Sequence, residues 1–97
     1  MRLVWKPPAI EDRERIMDFI VADNPGAAIE LDTEFESKAD ELLQHPKLYK
    51  PGRVKGTREV VVRPNYVMVY HIKGATISSL RVLHAGQQWP AASSLKS

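Results

Sequence analysis

Apolar residues follow a helical period of about 3.6 in the first half of this chain and an alternating, strand-like period of about 2 in the second. From residue 9 to about 22, Ala9, Ile16, Met17, Phe19, Ile20 and Val21 gather on one side, while Glu11, Asp12, Arg15 and Asp18 lie on another, which predicts an amphipathic helix. Pro8 suits its first turn, where a missing N–H costs nothing. Asn24-Pro25 marks the start of a second helix, with Asn24 as side-chain acceptor for the orphan N–H groups. There Ala28, Leu31, Phe35, Ala39 and Leu42 recur at spacings of 3, 4, 4 and 3, one continuous face, and the helix should end near Gln44 because His45 precedes a proline. A tight Asp23-Asn24 connection makes the two helices an antiparallel hairpin.

Residues 57–63, 66–72 and 76–84 are rich in Val, Ile, Thr and Tyr and are punctuated by Pro64-Asn65 and Lys73-Gly74. Such short connections join only antiparallel neighbours, so these segments form a three-stranded β-meander. Residues 1–6 read as a short strand that pairs with it. The predicted fold is α+β: an N-terminal strand, an antiparallel helix hairpin and a three-stranded antiparallel meander, with the helices packed on one face of the sheet. Residues 1–90 form a single domain and residues 91–97 a frayed tail.

Charge changes this picture more than composition does. Residues 1–45 hold five Lys/Arg against eleven Asp/Glu, and residues 46–97 nine against one, so a formal +2 divides into an acidic helical half and a basic sheet half. Arg58, Arg63, His71, Arg81 and His84 stand on the strands, with only Glu59 to offset them. Either the basic half meets an acidic partner, or the two halves satisfy each other across the fold. The chain has no cysteine, which removes thiolate metal sites and disulfides and fits a reducing compartment. No cofactor is implied and no residues are spaced as zinc or magnesium ligands. The expectation is a soluble cytoplasmic protein with no membrane segment.

The motifs His45-Pro46-x-Leu48-Tyr49, Gly52-Arg53-Val54, Gly56-x-Arg58-Glu59, Pro64-Asn65-Tyr66-Val67-x-Val69-Tyr70, Leu80-Arg81-Val82-Leu83-His84 and Gln87-Gln88-Trp89-Pro90 are specific in combination. Over residues 3–90 this set resembles the RelE/ParE superfamily of type II toxins. The resemblance implies a growth-inhibiting toxin, made with a cognate antitoxin that wraps it in a hetero-oligomer, and a role in plasmid maintenance or stress response. Two activities occur in that superfamily: RelE-like members cut mRNA on the ribosome, and ParE-like members poison DNA gyrase. Cleavage through the 2′-OH needs a base, an acid and a cation for the charge developing on phosphorus. Many nuclease members carry an Arg on the strand equivalent to residues 66–72 and a His-Tyr pair that ends the last strand. Val67 and Ala85-Gly86 stand at those places here, and neither moves a proton nor neutralises a phosphate. The resemblance is therefore closer to ParE-like members, with DNA gyrase as the implied target. The alternative is a RelE-like endoribonuclease acting on ribosome and mRNA through His84, Arg58 and Arg81.

Candidate partner or nucleic-acid contacts are Arg53, Lys55, Arg58, Arg63, Tyr66, Arg81, His84, Gln87 and Trp89. Arg53, Lys55 and Arg58 make either a cationic patch at the entry to the sheet or a solvated basic surface. Tyr66 and Tyr70 share a parity and serve either as core residues or as platforms for bases. His84 is a proton carrier, a partner contact or a structural residue. Trp89-Pro90 either folds back on the helices or is offered to a partner.

Overall fold

A computed structural model describes residues 1–84, 86, 87 and 89, with the order β1 (Arg2–Trp5), α1 (Pro7–Val21), α2 (Pro25–Gln44), β2 (Arg58–Arg63), β3 (Tyr66–Lys73) and β4 (Thr76–His84). The expected tail at 91–97 lies outside the described residues. Helix α1 begins two residues earlier than its apolar pattern suggests, because Pro7 and Pro8 both fit the first turn with their fixed φ and missing N–H. Helix α2 has the expected bounds. Asn24 adopts an extended backbone, and its side-chain carbonyl accepts from the Ala27 N–H at 3.1 Å.

The strands form one mixed sheet in the order β1-β4-β3-β2. From β1 the chain crosses through the helix hairpin to the far edge at β2, then meanders back until β4 lies parallel to β1, with Leu3 opposite Ile77 and Trp5 opposite Ser79. Strands β3 and β4 are joined by a turn in which Gly74 takes φ +60°, a left-handed conformation that side chains disfavour.

The helices cover one face of the sheet. Leu31, Phe35 and Leu42 of α2 are fully buried there with Val60, Met68, Tyr70, Ile77 and Val82. Alternation along the strands then turns Val67, Val69 and Leu83 to the opposite face, and these are buried too. The partly buried Ile16, Met17 and Ile20 of α1 pack against the core, whereas Phe19 is 81% exposed and Val21 is 46% exposed. The apolar face assigned to α1 from sequence is therefore wider than the one it buries.

Two irregularities shape the end of the sheet. Ser79 pairs with Tyr70 and Arg81 with Val69, so Leu80 is an extra residue that bulges β4. Strand β1 meanwhile stops at Trp5, opposite Ser79, as the chain turns into α1, and leaves the outer edge of β4 without a strand from residue 80 onward. Asp12 closes that gap. Its Oδ2 accepts from the Val82 N–H at 2.9 Å, and the carboxylate takes both Nε and Nη2 of Arg81 at 2.7 and 2.9 Å. Sequence placed Asp12 on the solvent side of α1; it is 3% exposed.

Candidate functional site

The basic residues of the sheet half divide according to what holds them. Gly52 passes so close to Thr57 and Glu59 that any side chain there would strike them. This approach lets the Arg53 N–H donate to Glu59 Oε2 at 2.8 Å, while Arg53 Nε and Nη2 clasp the two carboxylate oxygens at 3.0 and 3.1 Å. Burial raises the Glu59 carboxyl, but the Arg53 side-chain and backbone hydrogen bonds and the Arg53 and Lys50 charges outweigh it and hold the group below its ordinary range. Arg53 Nη1 also donates to the Gln87 carbonyl at 3.4 Å, linking the loop to the segment beyond β4.

Arg63 pairs with Glu34 of α2. Arg81 is fixed by Asp12, and that hydrogen bond, followed by the charges of Asp12 and Glu11, raises the guanidinium further above an already high value. Arg58 turns to the loop before it, donating to the Tyr49 carbonyl at 2.7 Å and the Lys47 carbonyl at 3.4 Å. Lys55 is exposed, as are Lys47 and Lys50 of the same loop.

His84 and Tyr66 face each other at the other end of the sheet. Their rings meet edge to face at 5.6 Å, and Tyr66 meets Phe35 in the same manner at 6.1 Å. His84 is exposed, and its Nδ1 accepts from the Gly86 N–H at 3.3 Å. Arg15, Ile16 and Phe19 of α1, with Asn65, Tyr66 and His84, line an open cleft of about 460 Å³. Sequence reading assigns Arg15 and Phe19 no part in a site, since nothing local shows that α1 reaches the end of the sheet where β3 begins and β4 stops. Tyr70 is buried, and its hydroxyl donates to the Pro46 carbonyl at 2.8 Å; burial raises its phenol above the usual value. Gln87 is exposed and Trp89 half-buried, while Ala85, Gln88 and Pro90 lie outside the described residues.

The three groups that RNA cleavage would require are not gathered at one point. Arg58 stands across the ladder from Tyr70 and His84 from Tyr66, a separation of about 13 Å along β3 at ~3.3 Å per residue. Among the described residues no group of three His, Cys, Asp or Glu is placed to hold a metal ion, and no helix is long and apolar enough to cross a membrane.

The fold is shared with solved structures. The chromosomal ParDE TA system from P. aeruginosa matches with a TM-score of 0.79 at 24% identity, over 87% of this chain and 95% of that one. The YoeB/ParE toxin from Agrobacterium tumefaciens matches with a TM-score of 0.66 at 15% identity, over 87% and 98%. In sequence, the chain is 34% identical over 90 residues to a Sinorhizobium fredii protein named "Putative toxin Y4kP", covering 92% of this chain and 93% of the relative. It is 31% identical over 88 residues to Toxin RelE2 of Caulobacter vibrioides, covering 89% and 97%. The family described as ParE toxin of type II toxin-antitoxin system, parDE, matches residues 3–89, and the chain belongs to that family of the RelE/ParE superfamily.

Proposed function

We propose that this toxin acts by binding DNA gyrase and not by cutting RNA, and that its cognate antitoxin silences it by covering the basic sheet half. The observation that carries this reading is the commitment of the arginines of the sheet half. Arg53, Arg63 and Arg81 are each held by a carboxylate of the same chain, and Arg58 by two backbone carbonyls. A phosphoryl-transfer site needs a cation free to meet the developing charge, with a base and an acid at the same phosphorus. His84 has neither Arg58 nor an unengaged Arg81 beside it. Binding makes no such demand, and a gyrase target places the action in the cytoplasm.

A ribosome-dependent endoribonuclease is the second reading, because His84 is exposed in a cleft that also holds Arg15 and Tyr66. Purified wild-type and His84→Gln proteins should both inhibit gyrase supercoiling in vitro, and both should leave mRNA intact in a translating extract. Codon-positioned cuts by the wild type, reduced about 10² to 10⁴-fold in His84→Gln as loss of general acid–base catalysis would reduce them, would make the nuclease the answer.

A further inference from the structure

We propose that the groove between α1 and α2 is a docking site for a cationic amphipathic helix of a protein partner. On α1, Ile10, Met17 and Val21 recur at intervals of seven and four residues and form one stripe along the groove. Ile29 of α2 stands across from them. Ile29 is 69% exposed, Val21 46% and Ile10 43%, although α2 already buries a complete apolar face against the sheet through Leu31, Phe35 and Leu42. Met17 also packs against the core, whereas Ile10, Val21 and Ile29 are not among the described residues that do. This second stripe lies in two adjoining hollows that share Met17, Asp18 and Asp32, the larger about 350 Å³ in volume.

Charge selects the occupant. Glu14, Asp18 and Asp32 stand on the rim with a single cation, Arg13. Arg13 is no counterweight, because Asp32 at 2.7 Å and Glu36 at 2.8 Å already hold its guanidinium. Among the described residues no ion pair engages Glu14 or Asp18. An acidic segment, such as would suit the basic sheet, would meet like charge here. Ile10 and Val21 are eleven positions apart on α1, about 16 Å at ~1.5 Å per residue, the length of three helical turns. A helix with apolar anchors at i, i+4 and i+7 and Lys or Arg on its flanks matches both the stripe and the rim.

The test uses the purified full chain and a fluorescein-labelled Leu/Lys peptide of about four helical turns (~14 residues) with that anchor spacing. Anisotropy should show binding, amide shifts should cluster at Met17, Val21 and Ile29, and a Leu/Glu peptide of the same pattern should not bind. Val21→Gln with Ile29→Gln should weaken binding at least ~10-fold, with the melting curve unchanged because both side chains are exposed. Glu14→Lys with Asp18→Lys, which keeps the apolar stripe, should do the same. Equal binding to these variants, or shifts confined to the sheet, would overturn the proposal. Self-association of the chain that Ile29→Gln abolishes would overturn it too, by giving the groove to a second copy.

Discussion

Replacing Asp12 by Ala should be among the most damaging single changes on the helix hairpin, although the position reads as surface charge. Asp12 is 3% exposed and is the acceptor for Arg81 Nε, Arg81 Nη2 and the Val82 N–H. Removing one partner of a buried pair costs about 3 to 5 kcal/mol because the other charge is stranded. The Arg81 side chain keeps 26% of its surface, so water screens part of that charge and about 3 kcal/mol is the better figure. An unmet Val82 N–H at an edge that water can reach adds about 1 kcal/mol, the low end for such a group. A loss of about 4 kcal/mol is a large share of the 5 to 15 kcal/mol that holds a domain together. At ~4 to 8 °C per kcal/mol the melting temperature should fall by roughly 15 to 30 °C. Asp12→Asn keeps an oxygen for Val82 while losing the charge, and should cost about half as much. Urea unfolding of Asp12→Ala, Arg81→Met and the double variant would give the coupling, expected at about 2 kcal/mol. Strictly additive losses, or a loss under about 1 kcal/mol in Asp12→Ala, would show that the ion pair does not hold α1 to the sheet.

Phe35 is fully buried in an edge-to-face contact with Tyr66, so Phe35→Ala should cost roughly 3 to 5 kcal/mol and abolish toxicity through unfolding; unchanged thermal stability would mean that this face of α2 is not the core. Glu59 is depressed below the ordinary 4.5, so its contribution is complete above that value and is lost as pH falls through its lower folded-state value. The urea midpoint should therefore drop on acidification below about pH 4.5, and less steeply in Glu59→Gln. Lys47, Lys50 and Lys55 are exposed on the loop before β2, and replacing all three by Ala should slow antitoxin association and flatten its salt dependence. A complex in which the antitoxin touches only the acidic helices would contradict this.

Helix α2 was legible in the sequence because everything that fixes it is local: Asn24 caps it, Pro46 follows its end, and one stripe carries all of its core residues. The meander was legible for the same reason, since its turns and alternation are short-range signals. What sequence could not supply is where α1 meets the sheet. Asp12 and Val82 are 70 residues apart, and their bond exists because β1 ends before β4 does. A helical wheel places a charged residue outward unless a distant strand edge demands an acceptor, and neither the edge nor the parallel pairing of β1 leaves a local pattern. The same blindness put Phe19 in the core and left the cleft at His84 without Arg15. Candidate arginines were legible as cations, but two of the three carboxylates that engage them, Asp12 and Glu34, come from the other half of the chain.

That engagement alters what the charge asymmetry means. Two of the internal pairs, Arg63 with Glu34 and Arg81 with Asp12, join the basic half to the acidic half, so part of the imbalance is spent within the fold. The division follows side-chain chemistry. Guanidinium is a rigid fork suited to carboxylates and carbonyls, and each described arginine of the basic half is used in that way. Ammonium is a hydrated point charge on a flexible stem, and Lys47, Lys50, Lys55 and Lys73 remain exposed. Positive charge left to lysine attracts without fixing geometry: it draws an acidic surface at long range and fades as salt rises. Holding a phosphate rigidly enough for in-line attack calls for the forked geometry that the arginines of the basic half have already used. A protein built in this way is suited to capture by an acidic segment and to action through surface contact, and this is how the internal pairing of its arginines supports the proposal of a gyrase target over RNA cleavage.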